Sequence, residues 1–305
     1  EVAFGADVGA IAEAHHYAEK VATGELPFLL TSCCPSWSMM AKKFFPTMID
    51  NISQELTPMV ATARKVKQEQ PDAKVVFVGP CASKKLEAMR RTVRSDVDFV
   101  LTFEELDAMF DAREIDPASF EEDGSLHDAT AAGRGYAVAG GVAGAIEACL
   151  KEYYPDVPVH IEHAESLAEC KKVLALAKAG KLKGCMIEGM ACPGGCMGGA
   201  GTNVPVAKSS KELKKFLAGC TKKLPPKELV DIELKKSGAM CLTLFRCSLR
   251  FQITEQFSEF FSIVRSGGPA SPVRVLLLPQ PFYIWSTPSG HHVKSSIHKV
   301  LIQCI

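Results

Sequence analysis

The sequence has no excess of charge of either sign and no long apolar run. Its 35 basic residues balance 35 acidic residues, which argues against a nucleic-acid-binding or membrane-surface protein, because such proteins carry a basic face. The longest apolar stretches, such as 273–278 and 282–285, are short and interrupted by proline, so no membrane span is expected. The chain opens at Glu1 without an initiator methionine or a signal-peptide pattern, and we expect a fragment.

The residue patterning favours an α/β fold. A chain of 305 residues with 47% hydrophobic residues can bury a sizeable core. Strand patterns lie at 73–79, 99–102, 157–162 and 184–188. Helix patterns lie at 8–22, 36–45, 54–68, from near 103, and 167–179. Strands that alternate with helices predict parallel or mixed β-sheets flanked by helices.

The composition changes after residue 237. The segment 238–305 has two acidic residues against six basic ones and is rich in phenylalanine and serine, with little sustained periodicity. We therefore predict a catalytic or binding domain at 1–237. The segment 238–305 is predicted to be an unassigned, irregular tail, poorly ordered or foreign to that domain.

Three short loops, 31–37, 79–85 and 190–199, each place a cysteine beside a proline where a strand or loop passes into a predicted helix. Without a secretory pattern, such cysteines indicate metal ligands or core thiols before disulfides. Four thiolates suit a [4Fe-4S] cluster, and backbone N–H groups at helix starts stabilise an anionic cluster. Glycines around Cys192 and Cys196 would let the backbone wrap closely around a bulky inorganic body. The loops thus predict a metal cluster.

The vicinal pair Cys33 and Cys34 is a geometric problem, because adjacent side chains in an extended loop point in different directions. One of them can ligate while the other faces something else. If Cys34 joins Cys81, Cys192 and Cys196, Cys33 remains as a spare thiol that can carry protons. A structural zinc is the alternative, although zinc loops usually show paired C-x2-C knuckles. Three further cysteines are predicted core residues: Cys149, Cys170 and Cys185. Four are unassigned: Cys220, Cys241, Cys247 and Cys304.

In this order, the three loops resemble the signature segments of the catalytic domain of [FeFe]-hydrogenases. The resemblance implies reversible reduction of protons to H2 at an H-cluster held between two lobes. This cofactor is a [4Fe-4S] cubane joined through a cysteine sulfur to a two-iron unit with CO, cyanide and a bridging dithiolate. It implies that Cys34, Cys81, Cys192 and Cys196 hold the cubane, with Cys196 bridging, and that Cys33 is the proton-relay thiol.

Lys84 fits the same resemblance. Its ammonium and nearby backbone N–H groups would form a positively charged site that could bind a cyanide ligand. The alternative is that Lys84 and Lys85 form a solvated pair. The resemblance also places four other residues beside the cofactor: Pro80, Tyr136, Val142 and Met190.

A proton path should lead from Cys33 to solvent. Glu13 lies twenty residues before Cys33 and Ser53 twenty residues after it, which matches the relay glutamate and serine of the family. Where the family usually has a second glutamate and an arginine, this chain has His16 and Lys20. Positions i, i+3 and i+7 share one helical face, so both could line an exit with Glu13, or form an ordinary solvated surface.

The resemblance implies further partners and a setting. Electrons would come from ferredoxin or fused ferredoxin-like domains, and the cofactor from a maturation machinery. The compartment would be the cytoplasm of an anaerobe, or a hydrogenosome in a eukaryote. At Met59, Gly79 and Tyr136 the chain has residues other than those common in the family, which indicates a less studied branch. Two rivals stay open: a non-catalytic iron–sulfur assembly relative, which needs neither the relay thiol Cys33 nor the anchor Lys84, and an H2 sensor.

Overall fold

The computed structural model describes residues 1–120, 126 and 128–234, together with the backbone of strand 273–277. Its helices are α1 (Ala3–His16), α2 (Pro35–Phe44), α3 (Pro58–Glu69), α4 (Ser83–Ala88), α5 (Phe103–Asp111), α6 (Ala131–Arg134), α7 (Gly141–Tyr153), α8 (Leu167–Lys178) and α9 (Val206–Gly219). Its strands are β1 (Phe28–Leu30), β2 (Lys74–Val78), β3 (Phe99–Leu101), β4 (His160–Glu165), β5 (Cys185–Met190) and β6 (Val273–Leu277). The predicted α/β class is confirmed.

The strands form two three-stranded parallel sheets. One sheet has the order β1-β5-β4 and the other the order β3-β2-β6. Leu30 pairs with Ile187 in the first sheet, and Val78 pairs with Leu101 in the second. Strand β5 is buried along its whole length, and β2 is buried from Val75 to Val78. This is why the sequence of β2 is a continuous β-branched and aromatic run rather than an alternating one.

Helix α2 packs against the first sheet through Trp37. This side chain is fully buried, and its indole N–H donates to the Thr31 carbonyl at 2.9 Å. A Cβ at Gly189 of β5 would lie 2.0 Å from the Trp37 ring, so only glycine admits the indole here. The contact holds the start of α2 against the end of the central strand.

Several predicted boundaries shift for identifiable reasons. The helix predicted from residue 54 begins at Pro58, because a residue before proline avoids the helical region and Thr57 is extended. The strand predicted at 157–162 is observed at His160–Glu165, since Pro158 has no N–H for the ladder. Strand β1 and helix α9 were not predicted.

The predicted boundary at 237 and most of the predicted tail lie outside the described residues. Within that tail, β6 pairs in parallel with β2, Val275 opposite Val76. In the described part of the chain, no helix combines the length and apolar character that a membrane crossing needs.

Candidate metal-cluster site

The cysteine loops follow the carboxyl ends of three strands. The loop with Cys33 and Cys34 follows β1, and the loop with Cys192 and Cys196 follows its neighbour β5. The loop with Cys81 follows β2 of the other sheet. Carboxyl ends of parallel strands are where open α/β sheets bind their ligands. The candidate site therefore lies where the two sheets meet.

Direct contacts join the loop after β2 to the other two loops. The Ser36 and Ser83 hydroxyls hydrogen-bond at 2.5 Å, which links the starts of α2 and α4. The Gly201 N–H donates to the Pro80 carbonyl at 2.9 Å. The Lys84 ammonium donates to the Cys33 carbonyl at 3.3 Å. These bonds hold the three loops together without any ligand.

The thiols of the three loops are close enough to interact electrostatically. Burial raises the pKa of the Cys196 thiol, and the charges of Cys81, Cys34 and Cys192 raise it further, while Lys84 lowers it. Cys34, Cys81, Cys192 and Cys196 are all free, half-buried thiols. The described residues contain no group of three or more histidine, cysteine or acidic side chains spaced for a single metal ion.

The donor set fits an iron–sulfur cluster. Four soft thiol donors from three loops are the ligand chemistry of a [4Fe-4S] cubane, which spans more space than one ion. The Tyr136 hydroxyl is a second observation, because it is buried and has no hydrogen-bond partner among the described residues. Tyr136 belongs to an apolar cluster against which Cys33 and Cys34 pack.

The glycines of the third loop lie close to neighbouring protein segments, and the expectation that they let the loop wrap an inorganic body stays a prediction. Gly194 and Gly195 have φ of +79° and +73°, which favour glycine. A Cβ at Gly195 would lie 2.5 Å from the Ala139 nitrogen, and a Cβ at Gly199 2.4 Å from the Pro80 carbonyl oxygen. The missing side chains therefore allow neighbouring backbone segments to approach the ligand loop.

Lys84 is buried beside the cysteines. Its ammonium lies 2.6 Å from the Glu87 carboxylate, and only 8% of the lysine is exposed. Burial alone would lower the pKa of Lys84, but Glu87 outweighs it and the pKa is raised. The alternative of a solvated pair is wrong for Lys84, and Lys85 instead bonds Glu105 at 2.7 Å.

Glu13 and Ser53 lie together next to Cys33. Only 3% of each residue is exposed. Burial raises the pKa of the Glu13 carboxyl to about 7, and hydrogen bonds from the Ser53 hydroxyl and the Ser32 N–H oppose that shift. Burial and then the nearby Glu13 raise the pKa of the Cys33 thiol. The structure thus brings together the three residues for which the family resemblance implies a proton path.

Comparisons with known proteins decide the family. A sequence model described as the iron-only hydrogenase large subunit, C-terminal domain, matches residues 1–200. The chain belongs to this family. It is 28% identical over 249 residues to the periplasmic [Fe] hydrogenase large subunit of Nitratidesulfovibrio vulgaris, covering 66% of this chain and 58% of that protein. It is 28% identical over 243 residues to iron hydrogenase 1 of Clostridium pasteurianum, covering 66% and 42%.

Other relatives of the chain are named as iron–sulfur cluster assembly factors. The cytosolic Fe-S cluster assembly factor NAR1 of Kluyveromyces lactis is 34% identical over 102 residues, covering 33% of this chain and 22% of that protein. Among solved structures, the [FeFe]-hydrogenase HydA(deltaEFG) shares the fold, with a TM-score of 0.56, 24% identity and coverage of 77% of this chain and 80% of that chain. The chain spans about half the length of the two hydrogenase relatives.

The residues predicted beside the cofactor fall into two groups in this member of the hydrogenase family. Tyr136, Val142 and Met190 are buried in the apolar cluster that packs on Cys33 and Cys34. Pro80 instead lies against the glycines of the third loop, through its contact with Gly199. Their roles toward a cofactor stay predictions.

Glu13 and His16 share a face of α1, but that face does not extend to Lys20 as predicted. The chain leaves the α-helix after His16 and forms a π-helical turn, Tyr17–Val21, in which the Ala22 N–H bonds the Tyr17 carbonyl. The i, i+7 relation holds only in a continuous α-helix. The Lys20 ammonium pairs with Glu25 at 2.8 Å on the surface.

Two carboxylates that the sequence analysis missed hold the site in place. Glu188 of β5, 1% exposed, accepts the N–H groups of Gly140 and Ala143 at 2.7 and 2.6 Å, which caps the start of α7. Burial raises the pKa of Glu188, and these N–H bonds oppose it. Glu165, at the end of β4, accepts the Gly194 N–H at 2.7 Å. An acid inside an apolar strand was the available signal for Glu188, and nothing local marks Glu165.

Proposed function

We propose that this chain is part of an [FeFe]-hydrogenase catalytic domain that interconverts two protons and two electrons with H2. One observation carries the proposal. Besides four thiols on three converging loops, a fifth thiol, Cys33, lies beside a buried carboxyl, Glu13, and a buried hydroxyl, Ser53. A cluster that only stores or passes electrons needs the four ligands and has no use for this group.

The four cysteines Cys34, Cys81, Cys192 and Cys196 would hold the cubane, with Cys196 bridging to the two-iron unit. When bound, this cofactor supplies the electron reservoir and the metal at which H2 is formed or split. The chain would contribute a site of low dielectric constant, lined by the apolar cluster with Tyr136, Val142 and Met190, and Pro80 would lie beside the cofactor, where it contacts Gly199.

Lys84 would anchor a cyanide ligand. Its ion pair with Glu87 and its bond to the Cys33 carbonyl fix the ammonium between the first two cysteine loops. A buried ammonium without water around it attracts an anion more strongly than an exposed one. Glu87 keeps the lysine charged before and after the cofactor binds.

Protons would pass between the site and solvent through Cys33, Glu13 and Ser53. A thiol, a carboxyl and a hydroxyl can each accept a proton on one side and release one on the other. The interaction of the Ser53 hydroxyl with the Glu13 carboxyl, which opposes the rise in the pKa of Glu13 caused by burial, supports Ser53 as the partner of Glu13 in this path.

Electrons would come from ferredoxin or from fused ferredoxin-like domains, and a maturation machinery would supply the two-iron unit. An oxygen-sensitive cofactor would place the protein in the cytoplasm of an anaerobe or in a hydrogenosome. Reduced ferredoxin should support H2 evolution by the matured protein, and the absence of any such activity with this donor would contradict the electron source.

Iron–sulfur assembly is the second candidate, because relatives named as assembly factors match about a third of the chain. Infrared spectra between roughly 1800 and 2150 wavenumbers separate the two, since no amino acid absorbs there as metal-bound CO and cyanide do. We expect such bands, and H2 turnover, from the matured chain. A cubane signal by electron paramagnetic resonance without these bands would instead identify an assembly or electron-transfer protein.

Two variants and one control test the assigned roles. Lys84→Met should abolish the CO and cyanide bands, whereas Lys85→Met, which removes the adjacent lysine bound to Glu105 at the surface, should keep them. Cys33→Ser should keep the bands and lose turnover, because a hydroxyl gives up its proton far less readily than a thiol. Full turnover in Cys33→Ser would contradict the relay role.

A further inference from the structure

An open apolar groove lies between helices α2 and α4, beside the first two cysteine loops. Its lining includes Met39, Met40, Phe44, Leu86 and Leu167. Of the eight large hydrophobic side chains that are exposed in the described residues, four line this groove. Apolar side chains that are exposed together in one patch mark an interaction site, whereas single ones do not. The clustering therefore indicates a docking surface.

The groove adjoins the loops that carry Cys34 and Cys81. Ser36 and Ser83 both line it, and their hydroxyls hydrogen-bond to each other at 2.5 Å. Ser36 lies in the first turn of α2, two positions after Cys34, and Ser83 is the first residue of α4, two positions after Cys81. A segment in the groove would therefore cover the starts of both helices next to the cluster site.

Strand β6 brings the C-terminal segment to the same end of the molecule. It pairs in parallel with β2, with Leu277 opposite Val78. Because the two strands are parallel, the chain leaves β6 at the end of the sheet where β2 leads into the Cys81 loop and α4. Residues 278–305, which lie outside the described part of the chain, follow from this point.

The C-terminal segment is long enough to reach the groove. Ser83 follows Val78 by five positions, so it lies within about 23 Å of Leu277 when the spacing of paired strands is included. Trp285 follows Leu277 by eight positions, and an extended chain of that length spans about 26 Å. The reach of the apolar run 282–285 therefore includes the groove.

The chemistry of the run 282–285 fits the groove. The run consists of Phe282, Tyr283, Ile284 and Trp285, and no lysine, arginine or acidic residue occurs between positions 275 and 293. Two lysines, Lys42 and Lys43, line the groove beside its apolar side chains, and aromatic rings accept ammonium groups over their faces. Two copies of the groove facing each other would instead bring four lysines together, and like charges oppose such a contact.

We propose that the segment 282–285 docks into the groove between α2 and α4 of its own chain. Docking removes apolar surface of both the groove and the segment from water. The β6 strand tethers the segment near the groove, which favours this contact over one with a separate molecule. A partner that approaches Ser36 and Ser83 must then displace the segment. The contact needs no cofactor and is independent of the proposed function.

Tryptophan fluorescence of the metal-free, reduced 305-residue chain tests this contact. The chain has two tryptophans, Trp37 and Trp285, so subtraction of the spectrum of Trp285→Phe isolates the emission of Trp285. We expect emission at a shorter wavelength than that of N-acetyltryptophanamide and several-fold weaker quenching by acrylamide. Both should stay unchanged on dilution, as a contact within one chain requires.

Variants of the groove show where Trp285 lies. Phe44→Asp and Leu86→Asp should each shift the emission of Trp285 to longer wavelength and raise its quenching toward that of N-acetyltryptophanamide. Phe120→Asp is the matched control and should change neither value, since Phe120 is 61% exposed against 60% for Phe44 and does not line the groove. Each variant is compared with its own Trp285→Phe form, which removes changes at Trp37, and circular dichroism confirms that it is folded.

Several results would overturn the proposal. Trp285 in the unmodified chain could be as accessible as N-acetyltryptophanamide, which would leave the groove to a separate partner. Its emission could be unchanged in Phe44→Asp and Leu86→Asp, or shifted equally in Phe120→Asp, which would place the segment elsewhere. A shift to shorter wavelength that is lost on dilution would identify a second copy of the chain as the occupant.

Discussion

Alanine at Gly195 would force a side chain into the backbone that supports the third cysteine loop. The φ of +73° costs an L-residue about 1–2 kcal/mol. The new Cβ would also lie 2.5 Å from the Ala139 nitrogen and 2.7 Å from the Val138 carbonyl carbon, where no flexible side chain can yield. Overpacking of this kind costs about 1–3 kcal/mol. We therefore expect Gly195→Ala to lower the free energy of unfolding by about 2–5 kcal/mol.

Two other glycines separate these contributions. Gly24 has a φ of +81°, and a Cβ added there would meet nothing within 4 Å, so Gly24→Ala should cost only about 1–2 kcal/mol. Gly144, in helix α7, has free space and an ordinary backbone, so Gly144→Ala should stabilise by about 0.4–1 kcal/mol.

Urea unfolding of the metal-free chain measures these free energies, and iron and sulfide contents after reconstitution measure the effect on the site. We expect Gly195→Ala alone to lose iron, because Gly195 lies between Cys192 and Cys196. A loss of stability in Gly195→Ala no greater than in Gly24→Ala would refute the argument that backbone contact requires this glycine.

Three further predictions concern buried charges. Burial raises the pKa of Asp7 from 3.8 to about 6, so the folded chain holds a proton that the unfolded chain releases. The free energy of unfolding should fall by about 3 kcal/mol as pH rises through that window, and urea midpoints of Asp7→Asn should show a weaker dependence. Lys84→Met should lower the free energy of unfolding by about 3–5 kcal/mol, because it leaves Glu87 buried and unpaired. In a double-mutant cycle, adding Glu87→Gln should recover part of this loss. Glu188→Gln should lower the free energy of unfolding, measured with urea, by about 1–3 kcal/mol, because it disturbs two buried hydrogen bonds from backbone N–H groups. The exposed control Glu162→Gln should lower it by less than about 0.5 kcal/mol.

The candidate ligands were predictable because their chemistry lies in short contiguous segments. A cysteine, a proline and a following helix are all visible within seven residues, as in 31–37 or 79–85. The buried strand 74–78 was predictable for a similar reason, since a strand covered on both faces needs an unbroken apolar run. The resemblance to the family, carried over to Glu13 and Ser53 at twenty residues on either side of Cys33, predicted that these side chains lie near Cys33.

The prediction that Lys20 shares a face with Glu13 and His16 failed because it assumed one continuous α-helix. A single extra residue in the π-helical turn after His16 rotates all later side chains about the axis. No residue in this segment marks the turn in sequence. The position of Lys20 relative to Glu13 therefore could not be inferred from helical periodicity.

The sequence by itself determined which side chains can hold a cluster and the α/β alternation that presents them, because both depend on residues close together in the chain. Only the tertiary structure decided what supports those side chains. Glu188 meets Gly140 across 48 positions, Glu165 meets Gly194 across 29, and Ser32 meets Glu55 across 23. Such contacts exist only after β1, β4 and β5 pair, since strand pairing sets which distant segments share one end of a sheet.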